Sequence, residues 1–156
     1  MTHDDASQEE PAEHLRFWAY LSALEQVTDA DEADLIREIL ADPDRAMAQS
    51  AVLQHLDRRA PDLLPGPAYA PWAASMARLA VHHALLNRRL QDWSFFRAIA
   101  LKHPWEPEAL LRSSDWLQSM AAAVPHTEAA EILAQHGRTK RIRNIAKANI
   151  KQHGSR

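Results

Sequence analysis

The sequence predicts an all-α protein: a helical bundle leading into a short, solenoid-like array of α-helical repeats. Three observations point there. Glycine stands at only three of 156 positions, Gly66, Gly137 and Gly154, while alanine, leucine and arginine, all strong helix formers, abound. Apolar residues recur at helical spacing, as in Leu35, Ile36, Ile39 and Leu40, and no alternating β-branched run competes with them. Third, the chain repeats itself: Asp92-Trp93 returns 23 residues later as Asp115-Trp116. In the same frame Ala100, Ala123 and Ala146 coincide, as do His103 with His126, Glu108 with Glu131, and Leu110 with Leu133. Periods in the twenties belong to short solenoid units.

Composition bounds the rest. Apolar residues at 46% and charged residues at 25% are ordinary globular values. A chain this long is expected to bury about 70% of its unfolded surface. We expect a disordered acidic lead over residues 1–9 and one all-helical domain over 10–152, with N-terminal helices in 10–60 and the repeat part in 68–152. The absence of cysteine excludes disulfides, thiolate zinc sites, cysteine nucleophiles and cysteine-ligated clusters. Met1-Thr2-His3-Asp4-Asp5 lacks the apolar core of a signal peptide, and no apolar run approaches the roughly 18 residues that span a bilayer. A soluble, cytoplasmic protein with no membrane contact is therefore expected. Its net charge of −3 conceals a polarity: residues 1–44 hold thirteen acids against Arg16 and Arg37, whereas Arg138 to the end holds seven bases and no acid. Such asymmetry suits a nucleic-acid tail, a surface for an acidic partner, head-to-tail packing of copies, or plain solvated surface.

The elements follow in order. Helix one is expected from Pro11 to Gln26, with Phe17, Leu21 and Leu24 on one face and Trp18 beside it. Thr28, with Asp31 three residues on, reads as the N-cap of a helix through Leu40. Asp42-Pro43 reads as the start of a third helix carrying Met47, Ala51, Val52 and Leu56 and stopping near Pro61. Pro61, Pro65, Gly66, Pro67 and Pro71 form the one obvious breaker zone, taken as the joint before the repeats. Beyond it a helix over about 70–87 should bury Trp72, Met76, Leu79, Ala80 and Leu86. In the first unit Asp92 would cap a helix ended by Pro104, and a short piece from Glu106 to Leu111 would follow. In the second, Asp115 would cap Trp116, Met120 and Ala123; Thr127 would cap Glu128 to Gln135, and Gly137 would terminate it as a C′ residue. The third keeps one helix, Thr139 to Gln152, with Ile142, Ile145, Ala146 and Ile150 inward. Each unit needs a neighbour to cover its apolar face.

The stretches Asp92 to Pro104 and Asp115 to Pro125, with Arg141-Ile142-Arg143-Asn144-Ile145-Ala146-Lys147-Ala148-Asn149, resemble the variant leucine-rich repeat and, more loosely, HEAT-type repeats over residues 92–150. The resemblance implies units of about 24 residues that pair a helix with a shorter one, and a role in binding proteins or nucleic acids. Ala148-Asn149 is similar to the family's unit-ending signature, but no proline follows. The cluster-binding cysteines of some members are missing, so no cofactor is carried over.

Functional candidates come with bland alternatives. Trp93 and Trp116 suit packing between units, and Trp105, in His103-Pro104-Trp105-Glu106-Pro107, is the tryptophan expected to be most exposed, as a platform for a base or a partner peptide. Adjacent His82 and His83 point about 100° apart on a helix and suit no single ion, so no metal is expected. The sharpest candidate is the terminal helix, whose Lys140, Arg143, Asn144, Lys147 and Lys151 share a basic face. That face suits phosphates or an acidic protein surface, or simply keeps the open end of the array soluble. No glycine-rich phosphate loop or nucleophile motif occurs. The expected function is a non-catalytic protein-binding or scaffolding module, self-association included. A nucleic-acid-binding protein is the alternative. Third comes a repeat-type DNA-processing enzyme, since HEAT-like DNA glycosylases resemble a combination of repeats, aromatics and an aspartate.

Overall fold

A computed structural model describes the backbone of residues 3–153, with side chains at residue 12 and from residue 14 to 153. The lead expected over residues 1–9 lies outside the described side chains. Among the described residues the protein is all-helical, with helices α1 (His3–Gln26), α2 (Glu32–Leu40), α3 (Arg45–Leu63), α4 (Tyr69–Leu79), α5 (Ala84–Ala100), α6 (Pro107–Arg112), α7 (Asp115–Ala122), α8 (Glu128–His136) and α9 (Lys140–His153). None of them is long and apolar enough to cross a membrane. The chain divides into two compact units, Met1–Leu90 and Gln91–Arg156. The proline-rich stretch lies inside the first unit, and the division falls within α5.

In the first unit α3 packs against α1 and α2, and α4 against α2. Of the expected inward residues, Leu24, Ile36, Ile39, Ala51, Val52, Leu56, Trp72 and Met76 are buried, whereas Phe17, Leu21, Leu35, Leu40, Met47 and Leu79 are half-buried. Several expected boundaries are displaced, each for a local reason. Thr28 does not cap α2; its hydroxyl donates to Asp31 at 3.0 Å, and the helix begins at Glu32. Asp42 does not cap α3 either. Its carboxylate accepts from Tyr20, from Arg16 and from the Asp44 amide at 2.8 Å, and Asp44 takes the capping role by accepting from Met47 N. Helix α3 runs through Pro61 to Leu63; the proline, which has no amide to donate, stands in its last turn. The helix expected over 70–87 breaks at residues 80–83, where neither glycine nor proline signals it, and resumes as α5.

Because Asn87 to Gln91 are all compatible with a helix, Asp92 sits inside α5 and caps nothing; its carboxylate accepts from Ser114 Oγ at 2.9 Å. Ser114 caps α7, accepting from Leu117 N at 3.1 Å, and Asp115 is the first helical residue. Thr127 caps α8 as expected, accepting from Ala130 N. Gly137 closes α8 at φ −53°, so no left-handed turn demands it. A Cβ there would stand 2.7 Å from both Ile142 Cγ2 and Leu133 O, and that close approach is what excludes a side chain. Two residues are left-handed, Lys102 at φ 60° and His126 at φ 59°; Lys102 follows α5, its amide donates to Ile99 O, and the His103 amide donates to Ala98 O at 2.8 Å. This is the Schellman helix ending, with lysine where glycine is usual.

The second unit has one core, built from Ile99, Leu110, Ala121, Ala122, Ala129, Leu133, Ile142 and Ala146. Of the positions that the 23-residue frame equates, Leu110 and Leu133 are both fully buried, and the Trp93 and Trp116 rings meet edge-on at 5.1 Å. Ala100, Ala123 and Ala146 differ, being half-buried, exposed and buried respectively.

Candidate partner-binding surface

Helix α9 is fixed before it offers anything to a partner. Thr139 Oγ1 accepts from Ile142 N at 3.1 Å, which satisfies one of the orphan amides of the first turn. Ile142 and Ala146 enter the core shared with α7 and α8. On the same side the Asn149 amide, buried, donates to Ala122 O and Val124 O, both at 2.9 Å, and so closes the carbonyl end of α7. Gln118 does the same for α6, donating to Leu110 O and Leu111 O at 3.1 Å while its oxygen accepts from Arg138 N. Neither amide was singled out by sequence as a structural pin, since end-capping between helices leaves no periodic signal.

The opposite side of α9 is the basic face. Lys140, Asn144, Lys147 and Lys151 are exposed along one ridge, with Arg141 beside it. At about 1.5 Å per residue the three lysines span roughly 16 Å. Lys140, Arg141, Lys147 and Lys151 have no ion-pair or hydrogen-bond partner among the described residues. Arg143, expected on this face, is withdrawn from it: half-buried, it donates through Nη1 to Gly137 O at 2.8 Å and braces the α8–α9 turn. Arg138 is engaged too, paired with Asp115 and donating to the Ser113 carbonyl. Trp105, expected to be the most exposed tryptophan, is half-buried and packs on Phe95 at 6.1 Å and on the core. The tryptophan that stays exposed is Trp18, at 63%.

The first unit holds the other cluster with chemistry in it. Glu32 occupies an inward position of α2, in phase with Ile36 and Ile39, and His55 occupies one of α3, between Val52 and Leu56. The Glu32 carboxylate accepts from His55 Nε2 at 2.6 Å, from Trp72 Nε1 at 3.1 Å and from Arg59 Nε at 3.2 Å. Arg58 Nη2 lies 3.0 Å from His55 Nδ1; because arginine only donates, Nδ1 accepts and the ring proton sits on Nε2. Burial pushes the Glu32 carboxyl up, but the hydrogen bonds from His55 and Trp72 and the charge of Arg59 outweigh it and hold it below its ordinary value. A groove of about 400 Å³ between α1 and α3 reaches this cluster, with Trp18 and Leu21 among its walls. His55 has both nitrogens engaged, so it presents no free base to that groove. The in-phase spacing of Glu32 with Ile36 and Ile39 was the signal that a carboxylate enters the core.

Among the described residues, no three His, Asp or Glu side chains converge as metal ligands would. Compared with known protein families, curated proteins and solved structures, the chain matches none.

Proposed function

We propose that the chain is a non-catalytic, cytoplasmic protein-binding module that uses its helical C-terminal unit to grip an acidic protein surface along the lysine ridge of α9. The observation that carries this reading is the ridge itself: Lys140, Lys147 and Lys151 stand exposed without a partner among the described residues, on a helix whose other side is pinned. Aligned cations of this kind steer and orient an oppositely charged partner. One feature favours protein over nucleic acid: no phenylalanine, tyrosine or tryptophan lies on α9 to stack a base. The burial of both Leu110 and Leu133 and the ring contact of Trp93 with the half-buried Trp116 support the helical-repeat reading of that unit.

The test is binding of a glutamate-rich helical peptide and of a DNA duplex, each followed by fluorescence anisotropy at about 0.15 M salt, where charges beyond about 8 Å are screened. The peptide should bind and the Lys147→Glu/Lys151→Glu variant should bind it at least about tenfold more weakly, a loss of about 1.4 kcal/mol. Duplex binding in the micromolar range with a steep salt dependence, abolished by the same variant, would replace this reading with nucleic-acid binding.

A further inference from the structure

The groove between α1 and α3 is built from one stripe of each helix. Trp18, Leu21, Ser22 and Glu25 recur three or four residues apart on α1, and Gln54 and Arg58 stand one turn apart on α3, so each set shares a face. The volume of about 400 Å³ lies in the range of small-molecule pockets. Leu21, the buried Leu24 and the Trp18 ring, 63% exposed, supply its apolar surface. Its charged walls are one acid, Glu25, and one base, Arg58. The two form no ion pair with each other, and Glu25 has no other partner among the described residues. Arg58 is anchored by the buried polar cluster. Its Nη2 donates to Leu24 O at 3.1 Å and to His55 Nδ1 at 3.0 Å, and His55 is fixed in turn by Glu32 at 2.6 Å. Those two bonds occupy both hydrogens of Nη2; the N–H groups of Nε and Nη1 meet no acceptor among the described residues. A guanidinium already held this way loses little freedom on taking a ligand.

We infer that this groove binds a free α-amino acid with a large apolar side chain, its carboxylate on Arg58, its ammonium on Glu25 and its side chain against Trp18 and Leu21. Opposite charges that share a pocket without pairing call for a ligand that carries both. A plain carboxylate would face Glu25 with no counter-charge, and a plain amine would face Arg58 in the same way. A peptide end offers only one of the two charges, whereas a free amino acid carries both on one carbon. Flat or branched apolar side chains gain from the exposed indole and the leucines beside it. The site is independent of the α9 ridge, which lies in the other unit.

Saturation-transfer NMR titrations with phenylalanine, 3-phenylpropionate, phenethylamine and glycine test it on the full chain. Phenylalanine should bind with a Kd of about 1 mM or tighter. The other three lack the ammonium, the carboxylate and the side chain respectively, and each should bind at least about tenfold more weakly. Trp18→Ser and Glu25→Gln change exposed side chains, so helix content by circular dichroism should stay as in the parent while each weakens phenylalanine by about the same factor. Lys147→Glu/Lys151→Glu should leave phenylalanine binding unchanged. A Kd for phenylalanine weaker than about 1 mM, or a fragment that binds as tightly as phenylalanine does, would overturn the inference. So would binding that survives Trp18→Ser and Glu25→Gln, or that is lost with the α9 lysines.

Discussion

Replacing Glu32 by alanine tests whether the buried polar cluster holds the first unit together. The carboxylate is the acceptor for His55 Nε2 at 2.6 Å and Trp72 Nε1 at 3.1 Å, and both donors are buried. Alanine strands them at about 1–3 kcal/mol each. Arg59 suffers less, because it is partly exposed and retains Asp29 at 3.0 Å. The sum, about 2–6 kcal/mol, brackets the roughly 3–5 kcal/mol that breaking a buried ion pair usually costs, against a total stability of about 5–15 kcal/mol. Glu32→Gln keeps the shape and one acceptor, and should lose about 1.5–3 kcal/mol, the worth of charge-assisted bonds. Urea unfolding with an unchanged m-value reads both losses. The pH dependence gives a second check. The Glu32 carboxyl is held below its ordinary value of 4.5, so its contribution is complete above that pH and disappears as pH falls through the lower, folded value. Parent and Glu32→Gln should therefore converge on acidification. A loss below about 1 kcal/mol for Glu32→Ala at neutral pH, or a gap to the glutamine variant that acid leaves untouched, would refute the reasoning.

Two further outcomes are expected from the second unit. Lys102→Gly should raise stability by about 1 kcal/mol, because a left-handed residue with a Cβ costs about 1–2 kcal/mol that glycine avoids. A thermal midpoint that stays put or falls would mean that the Schellman ending at φ 60° is already relaxed for lysine. Trp93→Ala should cost about 3–5 kcal/mol in urea, as a large buried ring lost from contact with Trp116 and Phe96. A loss under about 1 kcal/mol would show that the ring does not support the core.

Much of this fold was legible in its residues, and the illegible parts share a cause. The inward stripes of α2, α3 and α9 follow from 3.6-residue spacing, and Ile36, Val52, Ile142 and Ala146 are where that spacing puts them. The pairing of Trp93 with Trp116 was readable from the 23-residue frame. Three helix starts were not, because Asp42, Asp92 and Asp115 look like caps in sequence while each carboxylate is claimed by a distant donor: Arg16, Ser114 and Arg138. The break at residues 80–83 has no local signal, and Arg45 reaches from α3 to bond the carbonyl of His82 there. On the candidate surface, Lys140, Lys147 and Lys151 lie in the open as their spacing says. Arg143 does not, since a long side chain next to a glycine turn can fold back onto the carbonyl that the turn exposes.

Asn149 gives α9 a second occupation. The helix that bears the lysine ridge also stoppers the far end of α7, so lifting it would uncork Ala122 O and Val124 O and bare the Ile142 and Ala146 side of the core. Whatever clamps the ridge therefore also guards that seam, and slow amide exchange in α7 should report on a visitor that touches only α9.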